Sequence, residues 1–340
     1  MVVTGCMAER YGTELADELP EVDQVVGFGV PIALGKTRSN AVPPPAMDLL
    51  NLPRPASTRP WAYVKVAEGC DRACGYCAIP SFRGPQRSRS PESVLAEVDG
   101  LGVREVVLVA QDLAAYGRDQ GVGEKAIVAL LGAVVDRVDW VRLLYLYPSE
   151  LTDPLVDAVC ASGVPYFDLS LQHVSRPLLR RMRRWGDGDR FSALVERIRR
   201  REPDATFRSN FIVGYPGETE EDHDELLAFV ADAGLDWCGF FAFSEEVGTH
   251  AEGLDGAVAA PLVAERLREL GELQDAITAS KRDALIGRQV EVLVDEPGWG
   301  RTHREAPEID GLVEVPADLP VGEFATLTVT GAAGPDLEAA

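Results

Sequence analysis

Between residues 61 and 286 apolar runs alternate with amphipathic stretches six times over, and nothing else in the chain restricts its fold as tightly. The apolar runs fall at 61–67, 104–110, 141–146, 166–171, 206–213 and 237–243. Helical periodicity falls near 91–100, 124–137, 151–161, 175–200, 218–233 and 261–286. Strands that alternate with helices do not pair as hairpins, because each helix carries the chain back to the starting edge of the sheet. The expectation is an α/β fold: a parallel sheet with helices outside, curled by right-handed crossovers into a partial (β/α)6 barrel, two units short of a TIM barrel. In such barrels the chemistry gathers on the loops at the carboxyl ends of the strands.

The flanks differ in character. Residues 1–30 look like an α/β remnant: Met1-Val-Val-Thr resembles a strand cut in mid-run, followed by a helix-like segment at 9–19 and a short strand near 24–28. A domain rarely opens inside its own strand, so upstream sequence is expected to be missing. Residues 31–60 carry Pro31, Pro43, Pro44, Pro45, Pro53, Pro55 and Pro60 with little periodicity, as in a linker or surface strap. Residues 287–340 alternate short strands, expected at 289–294, 311–315 and 325–330, with glycine and proline turns, as in a small all-β barrel.

Charge narrows the partners. A net charge of −22 argues against holding nucleic acid through a broad basic face. It suits a basic protein partner, and it equally suits plain solubility. Residues 287–340 hold three Arg against eleven Asp and Glu, net −8, more acidic than an oligonucleotide-binding barrel normally is. No apolar run approaches the roughly 18 residues of a membrane helix, and the N-terminus lacks a secretory pattern. A cytoplasmic location is the expectation.

Three of the six cysteines sit within eight residues, in Glu68-Gly-Cys70-Asp-Arg-Ala-Cys74-Gly-Tyr-Cys77-Ala-Ile-Pro80. In a large chain without a secretory signal, such clustering points to metal or catalysis rather than to disulfides. The loop follows the first barrel strand, so it lies on the expected active face. Three thiolates at these spacings can wrap one 4Fe–4S cube, and they are one short of closing it. The free iron would accept the amino and carboxylate groups of S-adenosylmethionine (SAM). An electron passed from the cube into the sulfonium then leaves a 5′-deoxyadenosyl radical, able to remove hydrogen from an unactivated carbon. The competing reading is structural zinc, which wants four N or S ligands; the next candidates, Cys160 and His173, are far along the chain. Cys160 and Cys238 lie among apolar neighbours, as core thiols do.

Other polar residues fall at strand ends on the same face. Gln111 and Asp112 end the second strand and could receive the cofactor's amino group or serve as a helix cap. Gln172 and Arg208, from the fourth and fifth strands, could reach a carboxylate or ribose, or be satisfied by local backbone. Gly214, Gly217 and Glu218 form a glycine turn into a helix, which fits either an adenosine-binding turn or a plain capped turn. Arg83, Arg87 and Arg89, and the run Arg180-Arg-Met-Arg-Arg184, are either solvated charge or anion contacts, with the solvated reading preferred for the second run. His173 fits a satisfied polar residue at a strand end. No side chain is assigned as an acid or base.

With these residues assembled, the chain resembles the methylthiotransferases of the radical SAM superfamily over essentially its whole length. The likeness rests on Val3-Thr-Gly-Cys6-Met-Ala-Glu-Arg-Tyr11, the cysteine loop, and Phe211-Ile-Val-Gly-Tyr-Pro-Gly-Glu-Thr219. It implies a remnant of the family's N-terminal domain over 1–30, a proline-rich linker over 31–60, a radical SAM domain over 61–286 and a TRAM domain over 287–340. Ala110-Gln-Asp-Leu-Ala-Ala-Tyr-Gly117, Tyr166-Phe-Asp-Leu-Ser-Leu-Gln-His173, Met182-Arg-Arg-Trp-Gly-Asp-Gly-Asp-Arg-Phe191 and Ala306-Pro-Glu-Ile-Asp-Gly311 resemble the RimO-type branch. That branch adds a methylthio group to the β-carbon of an aspartate in small-subunit ribosomal protein twelve. One SAM supplies the methyl group and another the radical, and an electron donor such as a flavodoxin or ferredoxin is required. The family also carries a second 4Fe–4S cluster on three N-terminal cysteines, through which sulfur is delivered; here only Cys6 matches. The expectation is therefore a start placed too late or a truncated protein. Two rivals stand beside this expectation: a tRNA adenosine methylthiotransferase, and a non-catalytic remnant that binds cofactor or ribosomal protein.

Overall fold

The computed structural model describes residues 1–27, 50–51, 56–123 and 125–340, so most of the proline-rich stretch at 31–60 lies outside the described residues. Six strands follow one another through the central domain: β1 (Trp61–Lys65), β2 (Glu105–Val109), β3 (Trp140–Leu143), β4 (Tyr166–Gln172), β5 (Thr206–Val213) and β6 (Trp237–Ala242). β1, β2 and β3 pair in parallel, as do β4, β5 and β6. A lone bridge at Leu146 and Leu169 joins the halves, where Leu146 N–H donates to Asp168 O and Ser170 N–H to Leu146 O, both at 2.9 Å. This is the expected partial barrel, with the strands in chain order.

The helices that connect and follow these strands are α1 (Pro91–Leu101), α2 (Lys125–Val135), α3 (Asp153–Cys160), α4 (Arg176–Arg181), α5 (Gly188–Arg201), α6 (Glu220–Ala233) and α7 (Ala260–Asp283), besides a short helix, Ile79–Arg83, just after the cysteines. Their starts are chemically marked: Ser90 caps α1 by accepting from Ser93 N–H, and Thr219 and Asp222 form a reciprocal capping box on α6. The single helix expected over 175–200 is two. Arg183 takes φ 56° and Gly186 φ 121°, and a Cβ on Gly186 would lie 2.1 Å from the Phe191 ring. The chain therefore turns there, and Asp187 caps the new helix through Arg190 N–H.

Strand Glu105-Val-Val-Leu-Val109 is buried along nearly all its length because both faces of the sheet are covered. Val64, Val106, Leu108 and Val141 pack outward with the helices. Val107, Trp140, Tyr166 and Trp237 form the opposite core with Leu293, Ala306 and Phe324 of the terminal domain. That domain is a closed barrel of β7 (Gln289–Glu296), β8 (Trp299–Arg301), β9 (Val313–Glu314), β10 (Phe324–Ala333) and β11 (Asp336–Ala339), ordered β7-β8-β9-β11-β10. Two of its strands, β8 and β11, were not among the three expected. Both are short, and Gly300 in β8 lets the backbones approach: a Cβ there would meet Leu293 O at 2.5 Å.

The segment 302–311, between β8 and β9, reaches back onto the inner face of the six-stranded sheet. Arg142 donates to His303 O (3.0 Å), Trp237 Nε1 to Arg304 O (2.8 Å), Tyr63 Oη to Pro307 O (2.9 Å) and Tyr166 Oη to Asp310 (2.6 Å). At the N-terminus, strands Val2–Thr4 and Gln24–Val26 pair in parallel around helix Cys6–Glu18. Arg10 ties this piece to the loop after β6, pairing with Glu246 at 2.5 Å. No helix of the described residues is long and apolar enough to cross a membrane.

Candidate active site

The cysteine loop leaves β1 through a two-residue strand, Ala67–Glu68, paired with Arg87–Ser88. Gly69 takes φ 81°, and a Cβ there would lie 2.2 Å from Pro85 O, so glycine is obligatory. Gly75 is gripped from two sides: its N–H donates to Met182 O (2.7 Å) and its O accepts from Ala251 N–H (2.8 Å). The loop is thus fixed by the turn after α4 and by the segment after β6.

Cys70, Cys74 and Cys77 line one cavity of about 370 Å³ at the carboxyl ends of the strands. The same cavity is lined by Gln111 and Asp112 after β2, Tyr145 and Tyr147 after β3, and Ser170 and Gln172 of β4. Tyr145 and Gln172 hold φ of 63° and 72°, strained for non-glycine residues, and both face this cavity. Arg72 pairs with Asp112 (2.6 Å) and Glu150 (2.8 Å), while Arg184 donates to Cys74 Sγ (3.3 Å). Both guanidinium groups stack on Tyr147, at 3.8 and 4.6 Å from the ring centre. Gln111 Oε1 and Asp112 Oδ1 are buried and accept no hydrogen bond from the described residues.

Burial raises the Cys70 thiol to about 11, although the Arg72 N–H donates to its sulfur, and burial also raises Cys77. Among the described residues no three Cys, His, Asp or Glu side chains converge on a single ion. Three thiols in the lining of one cavity, with orphaned acceptors in the same lining, are a donor set whose chemistry suits an iron–sulfur cluster beside a ligand bearing N–H groups.

The other residues singled out in the sequence fall elsewhere. Arg208 lies deeper, against Asp168 (3.2 Å) and Asp310 (3.5 Å). Gly214 borders a separate cavity of about 350 Å³ between β6 and α7, and Gly217 N–H donates to Gly256 O (2.7 Å). Glu218 accepts from Gly214 N–H and pairs with Arg266 of α7 at 3.1 Å, which closes the glycine turn internally. Cys6 accepts a hydrogen bond from Arg83, which also binds Glu68, at the edge of the cysteine loop. Arg89 is spent on Lys65 O, Ser93 and Glu97. In the run 180–184, treated as solvated charge, Arg184 turns inward to Cys74. Sequence reasoning missed Arg72, Tyr145 and Tyr147, whose only signal was position just after a cysteine or a strand.

A third cavity, about 290 Å³, shares Ala110, Gln111 and Tyr145 with the first and is walled by Tyr63, Lys65 and Ile309. The terminal barrel therefore reaches the edge of the cysteine cavity.

Comparison with known proteins adds the following. The profile described as the radical SAM superfamily matches residues 64–230, and that of the TRAM domain residues 286–340. The ribosomal protein uS12 methylthiotransferase RimO of Moorella thermoacetica is 44% identical over 97% of this chain and 80% of its own length. The protein of the same name from Kineococcus radiotolerans is 42% identical over 99% of this chain and 81% of its own length. Among solved structures, coproporphyrinogen III oxidase (HemN) from Escherichia coli, described as a radical SAM enzyme, matches with a TM-score of 0.50 at 15% identity, over 68% of this chain and 55% of that one.

Proposed function

Because this chain belongs to the ribosomal protein uS12 methylthiotransferases of the radical SAM superfamily, we propose a division of labour among its residues for that transferase activity. Its substrate is ribosomal protein uS12, and by resemblance the acceptor is the β-carbon of an aspartate. The family brings a 4Fe–4S cluster and SAM, which together supply a radical able to take hydrogen from such a carbon, and a methyl donor. Cys70, Cys74 and Cys77 hold the cluster. Gln111 and Asp112 receive the ammonium group of SAM, for which their unpartnered oxygens are suitable acceptors. Arg184 and Arg72 keep Tyr147 and the loop in register. Gln172 and Tyr145, held in strained conformations, fix the far wall. A flavodoxin or ferredoxin is the proposed source of electrons.

Three thiols and two orphaned acceptors around one cavity carry this reading. The residues present do not fit a second cluster. Cys6 is the one thiol beside the loop on its N-terminal side, whereas Cys160 and Cys238 belong to α3 and β6. No sulfur-transfer step is derived through such a group. The tRNA alternative is disfavoured by the acidic terminal barrel.

Anaerobic reconstitution tests the proposal. The chain should take up one cube of about four irons, release 5′-deoxyadenosine on reduction with SAM, and bind recombinant uS12. Cys70→Ala, Cys74→Ala or Cys77→Ala should each lose the iron–sulfur absorption and the nucleoside. A thiomethyl mass on uS12 would report the full transfer. Zinc uptake without sulfide, or cofactor cleavage that survives all three substitutions, would overturn the assignment.

A further inference from the structure

A charged cavity of about 230 Å³ opens at the other end of the strands, where the starts of β5 and β6 meet the terminal barrel. Arg199, Lys281, Arg282, Arg288 and Arg304 line it against Asp204 and Asp236, a cationic excess in a chain of net charge −22. Part of that excess has a local purpose. Arg199 and Lys281 each donate to Gly234 O at 2.8 Å, offsetting the negative end of α6, and Lys281 also pairs with Asp236. Arg304 is held by Asp204.

Arg282 and Arg288 are not used up in this way. Arg282 is 4% exposed and stacks on Trp237 at 5.2 Å. Its Nη1 pairs with Glu305 at 2.5 Å, but its Nε and Nη2 are buried and find no acceptor among the described residues. Leaving two guanidinium donors dry and unpaired is costly unless something else accepts from them. Arg288, at the rim, has among the described residues only a long pair with Asp204 at 3.7 Å and keeps most of its side chain in solvent.

We propose that this cavity binds a phosphate-sized oxyanion, held by Arg282 from within and Arg288 from the rim. Two guanidinium forks match the oxygens of a phosphate better than those of a halide, which offers one point of charge. The volume accommodates one such group with a few waters. The occupant could be a free phosphate or a phosphodiester of an RNA backbone; the recognising chemistry is the same. It would bridge α7 and the terminal barrel, and so stabilise their junction. The inference is independent of the chemistry at the cysteine end.

The test is thermal unfolding of the full chain in inorganic phosphate and in chloride at matched ionic strength, with a labelled single-stranded RNA oligomer as a second probe. Phosphate should raise Tm saturably and chloride should not. Arg288→Gln should weaken the apparent phosphate affinity about tenfold, the loss of one charge-assisted contact. Arg282→Gln combined with Glu305→Gln removes the buried pair together, avoids stranding a charge, and should abolish the shift. RNA that competes with phosphate and weakens in the same variants identifies the backbone as the source. A phosphate effect without RNA binding identifies the free anion. An equal response to chloride, or indifference to both sets of substitutions, overturns the proposal.

Discussion

Single residues explain what the sequence could and could not disclose about the site. Cys70, Cys74 and Cys77 were legible because their spacing alone puts three thiols on one loop. Arg184 was not, because its contact with Cys74 spans 110 positions and depends on the turn at Arg183 and Gly186. His173, expected as a satisfied polar residue at a strand end, is only half satisfied: its Nδ1 accepts from Ser175 N–H at 3.1 Å, while its Nε2 is buried and finds no partner among the described residues. Burial lowers its pKa from 6.5 to about 4, helped by His223 and Arg266 and opposed by Asp222. A depressed folded pKa means that stability is complete above pH 6.5 and drains away as pH falls toward 4, by about 3 kcal/mol in all. Urea titrations at pH 7.5 and pH 5 should show about 2 kcal/mol of this loss in the wild type. His173→Asn, which keeps an acceptor for Ser175 but does not titrate, should lose distinctly less over the same interval. Equal losses would place the proton elsewhere.

At the scale of elements, alternation in the chain predicted all six barrel strands, because parallel strands buried on both faces are continuous apolar runs. Short strands with a polar face escaped: β8 and β11 close the terminal barrel through pairing that only the fold supplies. The segment 302–311 escaped as well, since nothing local says that a loop will lie on another domain's sheet. Its Asp310 accepts from Tyr166 Oη and Ala306 N–H and faces Arg208, but burial still raises its pKa to about 6. The protonated form is favoured in the fold, so that stabilisation is complete below pH 3.8 and is lost as pH rises to 6. Asp310→Asn keeps the acceptor without the charge, although its amide would face Arg208 at some cost. The variant should match the wild type at pH 4 and be the more stable at pH 8, by at most about 3 kcal/mol. Denaturant midpoints at the two pH values decide it; a less stable variant at pH 8 would mean that the Arg208 pair outweighs burial.

On the scale of the whole molecule, one sheet carries two cores: helices on its outer face, and the terminal barrel on the inner face near the strand starts. The cysteine cavity occupies the other end, so its floor is set by how firmly the terminal barrel is seated. Glu105 is central to that seating. It is fully buried at the start of β2, accepts from Arg142 at 2.8 Å, and pairs at 2.7 Å with Arg301 of β8, which also grips Asp295. The two guanidinium groups hold its carboxylate below its ordinary pKa despite the burial. Replacing a buried trio by apolar groups can be neutral, but removing one member leaves uncompensated charge, which costs about 3–5 kcal/mol. Glu105→Ala should therefore lose about that much stability. Since the stranded arginines belong to both domains, the loss should fall on their junction: the unfolding transition should broaden or split, and the terminal barrel should become the faster proteolysed part. Glu105→Gln, isosteric and still able to accept from Arg142, should fall between the two. If Glu105→Ala instead lowers one sharp transition with the barrel no more protease-sensitive, the trio stabilises the sheet alone, and the seating must rest on the apolar contacts of Leu293, Ala306 and Phe324.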